Sequence, residues 1–427
     1  MADNSFEAAK ALIKLINAQG YEAYVVGDMC LLSIHNKLHK ERIPIKTITI
    51  ATNMDMNILK NMFAKHIEEN AYSIIINFAN YCYRLVKYHK VINYHQGIYL
   101  NVPYIEELNT IEEFVQNQDF SIQTLYVKDD FLTNIYENTD PKIDDIRNKI
   151  IRIIGNPEEK IKNNPNIILN AFYYMSKLGY QFDAQTMSVI MNNISLIKYI
   201  SLKQFGIMFL NIISEKHAYK ALSIMQELNI FDVEIEGDKL LSHLQDKDLD
   251  CLKAFEKHAN MQIEIIAELF NTDSLDQLLK FNILDENTLK DVKWLIANKN
   301  IYKNRTDNEW REVIYNSIND DMDIHYIKRL ILKNNARQKL THKSKATDEQ
   351  CKNLFFNLCA RPYFIEQLDI QDEDILKLDN NANITRVKKA LLEKLIFTEK
   401  YPNEEKIKEM LCNYMRSESY EKTKESK

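Results

Sequence analysis

From about Ile143 to its end the chain repeats apolar residues at helical spacing, whereas the β-rich runs lie in the first 140 or so residues. That switch confines any sheet to the N-terminal third and makes the remainder helical. The expected class is α+β: a small mixed-sheet head followed by a mostly α-helical neck, body and tail. Phe6, Ala9, Leu12, Ile13 and Ile16 share one helix face, which Gly20 terminates. Tyr24-Val25-Val26 and Ile45 to Ile50 read as strands, Met56 to Lys65 as a helix, and Ser73 to Phe78 with Tyr81 to Tyr88 as a hairpin across Ala79-Asn80. Strands at Leu125 to Val127 and Thr133 to Tyr136 would complete the sheet. Ile161 to Leu178, Met187 to Leu196, Phe205 to Ile213 and Ala218 to Leu228 read as amphipathic helices, and Arg416 to Lys427, polar throughout, as a frayed tail.

With 427 residues, 45% of them hydrophobic, the chain can bury two or three cores. It holds no apolar run of the roughly 20 residues that a membrane span needs, and its N-terminus lacks a basic region followed by an apolar one, so a cytoplasmic protein is expected. The six cysteines never fall at CxxC spacing, which argues against a zinc site and a disulfide framework. A net charge of −6 argues against binding nucleic acid by bulk electrostatics. Between Lys142 and Lys203, however, nine Lys or Arg face five Asp or Glu, a local +4 that leaves −10 elsewhere. Such an excess fits either a solvated helical surface or an RNA-facing one. Seven glycines in all, with no GxGxxG or GxxxxGK[ST], leave no glycine-rich phosphate loop. His35 and His39 stand four apart without a third ligand nearby, the spacing of a surface pair more than of a metal site.

The segment Gly20-Tyr21-Glu22-Ala23-Tyr24-Val25-Val26-Gly27, followed by Ile48 to Asn53, resembles the head of class II CCA-adding enzymes and bacterial poly(A) polymerases. Asn117-Gln118-Asp119-Phe120-Ser121-Ile122-Gln123-Thr124-Leu125 is similar to the family's RRDFTINAL, and Ile150 to Glu159 to its IIRxIGxPEER. Asn163 to Tyr174 lies where the family has EDPLRILRAIRF, and Lys177-Leu178-Gly179-Tyr180 matches its KLGF. The resemblance implies a nucleotidyltransferase-like head over 1–142, a helical neck over 143–235, a helical body and tail over 236–415, and a disordered end over 416–427.

Nucleotidyl transfer uses divalent metal ions held by carboxylates. The family's two aspartates fall on Thr47 and Thr49, so the resemblance implies no catalytic residues, no metal site and no cofactor, with Mg²⁺ expected only if the chain is active. Other nucleotide-binding positions are altered as well. Asp28 follows Gly27 where a second glycine is expected, and Leu31-Leu32 replace an Arg-Asp pair. Asn117 and Gln118, ahead of a retained Asp119, replace paired arginines. Asn163, Asn164 and Ile167 replace the nucleotide-selecting Glu, Asp and Arg, and Asn170 and Tyr173 two more arginines. The expectation is a catalytically inactive protein that binds RNA or tRNA, or else a regulatory subunit with a protein partner, or a divergent active transferase in RNA 3′-end processing. Lys149, Arg152, Lys160 and Lys162 in the neck, and Lys328, Arg329, Lys333, Arg337 and Lys339 further on, are the candidates for RNA contact. No membrane or DNA partner is expected.

Overall fold

A computed structural model of the chain describes residues 4–45, 47–79, 81–94, 103–127 and 141–239, parts of 241–335, and 346–425. The chain divides into two compact units, 1–265 with 269–285, and 266–268 with 286–427. Lys333, Arg329, Arg337, Lys339 and the strand expected at Thr133 to Tyr136 lie outside the described residues.

In the first unit, helix α1 (Asn4–Asn17) buries Ala9, Leu12, Ile13 and Ile16, and Gly20, at φ +83°, turns the chain into strand β1 (Ala23–Val26). Gly27 then adopts φ 68° and ψ −137°, a conformation that costs a side chain dearly, and so passes the chain from β1 into α2 (Asp28–His39). Strand β2 (Thr47–Thr52) pairs antiparallel with β1. Beyond α3 (Met56–Met62), β3 (Glu68–Glu69), β4 (Ser73–Phe78) and β5 (Tyr81–Lys87) complete one side of the sheet. With β8 (Tyr126–Val127) the strand order is β3-β4-β5-β2-β1-β8, and β2 runs parallel to β5 with Thr49 opposite Arg84. The expected hairpin across Ala79-Asn80 is present, with Phe78 opposite Tyr81.

Strand alternation separates the two sheet faces. Ile48, Ile50, Tyr83 and Leu85 are buried on the side that α1 and α2 cover. On the other side Ala51, Tyr24, Val26, Val86 and Tyr88 pack against α4 (Ile111–Gln116). An unforeseen antiparallel hairpin, β6 (His89–Tyr94) with β7 (Pro103–Glu107), stands apart from the main sheet.

The neck follows as α5 (Pro141–Arg147), β9 (Ile150–Ile151), α6 (Pro157–Asn163), α7 (Asn166–Leu178), β10 (Gln181–Phe182), α8 (Ala184–Asn193), α9 (Leu202–Ile213) and α10 (Ala218–Glu227). One helix was expected over Ile161 to Leu178; Asn164-Pro165 splits it, because proline disfavours helical backbone at the residue before it. In the second unit, helices over Ile384–Ile396 and Glu404–Met415 lead to a further helix, Glu418–Glu425. The expected disordered end is thus corrected. Tyr420 is buried, stacks edge-on against Tyr414 and donates its hydroxyl to Asp379 Oδ2 at 2.8 Å, which ties the polar segment down.

Candidate functional site

Thr47 and Thr49 stand half-buried on β2, on the sheet face away from α1 and α2, where the resemblance places metal-binding aspartates. Beside Thr49, in register on β5 and on the same face, is the exposed Arg84. A hydroxyl offers no charge to a divalent cation, and an adjacent guanidinium opposes one.

Two carboxylates of the same head, Asp28 and Asp55, are engaged elsewhere. Asp28, at the start of α2, accepts from Lys177 Nζ at 2.5 Å and from the Tyr174 hydroxyl at 2.9 Å. Lys177 also donates to the Tyr173 hydroxyl at 3.0 Å, and Gln123 Nε2 donates to Tyr174 at 2.9 Å. Burial opposes the charge on Lys177, but Asp28 and Tyr173 outweigh it and push the ammonium pKa up. Asp28 is therefore neutralised from α7, across a network that ties the head to the neck. Asp55 caps α3 by accepting from the Asn57 backbone at 2.8 Å and faces Lys87 at 3.6 Å. Among the described residues no three His, Cys, Asp or Glu cluster as metal ligands would. The residues present do not fit a divalent-metal transfer site.

The histidine pair is structural and, contrary to expectation, only partly on the surface: His39 is half-buried and His35 wholly buried. His35 is fully buried and its Nδ1 lies 2.9 Å from the Tyr180 hydroxyl, while His39 Nε2 lies 2.9 Å from the Ile146 carbonyl oxygen. Burial lowers the His35 pKa to about 4. Leu31 and Leu32 are buried too, so that the positions of a charged pair now belong to the head core.

The other altered positions converge. Asn117, Gln118, Asp119, Asn163, Asn164, Ile167 and Asn170 line one cavity of about 580 Å³, roofed by residues of the unforeseen β6–β7 hairpin, among them His89, Lys90 and Glu106. Its two lysines are engaged within it. Lys90 meets Glu106 at 3.0 Å, and Lys160 donates to the Gln118 carbonyl and, at 3.5 Å, to that of Asn117. Burial lowers the Lys160 pKa, while it raises that of Asp119, whose carboxylate accepts from Asn170 at 3.5 Å.

Of the neck cations only Lys160 turns into the cavity, while Arg152, partly exposed, binds Asp145, and Asp183 at 2.7 Å, joining α5 to the cap of α8. Lys149 and Lys162 face solvent, near Glu41 at 3.8 Å and Glu158 at 3.0 Å. In the second unit Lys328 lies 5.6 Å over the Phe356 ring. Sequence reasoning missed the hairpin wall and the Lys177 partnership. The i, i+4 spacing of Tyr173 and Lys177 was the available signal for the latter.

A small mixed sheet whose first strand turns through Gly27 into α2, followed in sequence by the helices from α5 onward, is the arrangement that the resemblance implies for a nucleotidyltransferase-like head and neck. No family profile matches the chain. In sequence it is 23% identical to the CCA-adding enzyme of Staphylococcus epidermidis over 345 residues, 80% of this chain and 81% of that protein. It is 24% identical to the CCA-adding enzyme of Enterococcus faecalis over 212 residues, about half of each chain (49% and 50%). In fold it is similar to the Bacillus stearothermophilus CCA-adding enzyme in complex with CTP, at a TM-score of 0.67 and 17% identity over 98% of this chain and 99% of that one. The Thermotoga maritima CCA-adding enzyme complexed with tRNA aligns at a TM-score of 0.53 and 11% identity, covering 97% and 95% of the two chains. The chain is thus similar in sequence and in fold to class II tRNA nucleotidyltransferases.

Proposed function

We propose that this protein is an RNA-binding member of the tRNA nucleotidyltransferase family that does not transfer nucleotides. The observation that carries the proposal is Arg84 beside Thr49 at the metal position. The Lys177–Asp28 pair supports it by occupying a carboxylate of the head. Its RNA is a tRNA or tRNA-like 3′ end, by analogy with relatives that are CCA-adding enzymes, one of them solved with tRNA. Contact with the RNA backbone falls to outward neck cations such as Lys149 and Lys162. Functionally the division stays a head over 1–142, a neck over 143–235 and a helical body beyond, acting in the cytoplasm without a bound metal.

Ultraviolet crosslinking in the protein's own cells, purification under denaturing conditions and sequencing of attached RNA test the binding. Recovery of tRNA or other RNA 3′ ends is expected. A parallel assay of label incorporation from ATP or CTP with Mg²⁺ or Mn²⁺ is expected to give none, and metal-dependent extension of an RNA would overturn the inactive assignment. Absence of RNA above background would overturn RNA binding and favour a protein partner.

A further inference from the structure

In the second unit, the C-terminal end of the helix over Ile384–Ile396 carries more positive charge than its own capping requires. Two arginines meet there: Arg311, on the helix over Asp307–Asn319, and Arg361, in the turn after the helix over Asp348–Cys359. Both donate to the Thr398 carbonyl oxygen, Arg311 at 3.1 Å and Arg361 at 2.5 Å, so the two guanidinium groups lie side by side. Arg361 also donates to the carbonyl oxygens of Leu395, Ile396 and Glu399. A cation suits a helix C-terminus, whose last carbonyls lack partners within the helix and carry partial negative charge. One arginine would meet that need. A second like charge beside it, on the buried Arg311, is costly unless an anion answers it.

The protein itself answers it only in part. Among the described residues the carboxylate within ion-pair distance of these groups is Asp307, 3.7 Å from Arg311 and itself 64% exposed, which leaves an excess of one positive charge. Glu399 enters through its backbone carbonyl. The N–H donors are in surplus too, since a guanidinium has five. Arg311 employs Nη1, on Asn308 Oδ1 at 2.6 Å and on Thr398, while its buried Nε and its Nη2 make no hydrogen bond among the described residues. Arg361 employs Nη1 and one N–H of Nη2, leaving its Nε–H and the second Nη2 N–H. Arg361 is partly exposed, so one cation reaches the surface with the other behind it. Burial and the neighbouring Arg311 charge lower the Arg361 pKa, a cost that a bound anion would relieve. Within electrostatic reach of Arg361, the Tyr401 hydroxyl makes no hydrogen bond among the described residues. The planar fork of arginine N–H groups matches two oxygens of a phosphate, and its charge persists at any working pH.

We propose that Arg361, backed by Arg311 and flanked by the Tyr401 hydroxyl, is a binding site for a phosphate group. Two sources share this chemistry, free inorganic phosphate and a phosphodiester of RNA; only the second rests on the RNA-binding function proposed above.

Equilibrium dialysis of the full chain against radiolabelled inorganic phosphate, at neutral pH and constant ionic strength, tests the inference. Saturable binding is expected, weakened about tenfold by Arg361→Gln, which removes a charged donor, and about threefold by Tyr401→Phe, which removes a neutral one. Arg361→Lys, which keeps the charge and loses the fork, should fall between the parent and Arg361→Gln. Because Arg361→Gln also uncaps a helix, Tyr401→Phe carries the test if that variant melts early; it deletes only a hydroxyl and should keep the parent melting temperature. Competition by a single-stranded RNA without terminal phosphates separates the sources. Displacement of phosphate from the parent identifies the RNA backbone, and failure to displace it identifies the free ion. Absence of saturable phosphate binding to the parent, or binding unchanged in Tyr401→Phe and in a folded Arg361→Gln, overturns the site and leaves RNA binding standing. Phosphate binding by a chain that binds no RNA does the reverse.

Discussion

Replacing Lys177 by Met removes the cation that neutralises Asp28 while keeping the length of the buried side chain. Lys177 is 9% exposed and Asp28 30%, so the pair is partly shielded from water rather than fully desolvated. Breaking a buried ion pair costs about 3–5 kcal/mol, and the residual exposure of Asp28 together with its remaining bond from Tyr174 brings the expected loss to about 2–3 kcal/mol. For a unit of this size that corresponds to a fall in Tm of roughly 4–10 °C. Asp28→Asn alone should cost a similar amount, by stranding the lysine. The double variant should lose no more than either single one, giving a coupling of about 2–3 kcal/mol in a double-mutant cycle. Calorimetry at pH 7 reads all four proteins. The sign with pH follows from the raised Lys177 pKa: the stabilisation is full below the unfolded lysine value of about 10.4 and disappears as pH rises through the higher folded value. Additive losses, or a Lys177→Met protein melting within about 1 °C of the parent, would show that Asp28 is not held by Lys177 and return it to the pool of metal ligands.

Thr47→Asp with Thr49→Asp should not create Mg²⁺-dependent transfer, because the new carboxylates meet Arg84 and the nucleotide-binding arginines are still absent; adding Mg²⁺ should leave the variant's Tm unchanged in a thermal-shift assay. Asp119→Asn should raise stability at neutral pH, since a carboxyl with a raised folded pKa loses stability as pH climbs through the interval above its unfolded value, and chemical denaturation at pH 4 and pH 7 measures whether that difference vanishes in the variant. Tyr420→Ala should cost about 2 kcal/mol by removing a buried ring and its bond to Asp379, read as faster hydrogen exchange over Glu404–Met415. If Lys149 and Lys162 each touch an RNA phosphate, substituting either by Ala should lower the slope of log affinity against log salt by about 0.7–0.9, whereas an unchanged slope removes that residue from the interface.

Five of the six main-sheet strands, all but the short exposed β3, were readable because alternation survives wherever one face is buried: Ile48 and Ile50 mark β2, and Phe78 and Tyr81 flank the β4–β5 turn. The β6–β7 hairpin was not readable, since it lies outside the main sheet and its segment His89-Lys90-Val91-Ile92 shows no clean alternation. That cost the reading one wall of the cavity. The helical end was missed for a related reason: Glu418 to Glu425 is polar apart from Tyr420, and a single buried aromatic leaves no periodic trace. The altered binding positions were named from sequence, but their convergence on one cavity depends on the α6–α7 break at Pro165, which brings Asn163 and Ile167 to the same wall.

Sequence positions alone suggest that charges were simply deleted, yet the structure shows a redistribution. Where a glycine turn would expose backbone, Asp28 adds a carboxylate, and the same network supplies Lys177, Tyr174 and Gln123 to hold it. A partly buried aspartate without these partners would be costly, so Asp28 and its neutralising network make sense only together. The cavity follows the same logic: Asn117 and Gln118 stand where the resemblance implies arginines, and Lys160 beside them is satisfied by their backbone carbonyls and by Asp119. Asp119 is the exception. Its burial opposes its charge, and neither Lys160 nor Asn170 compensates fully.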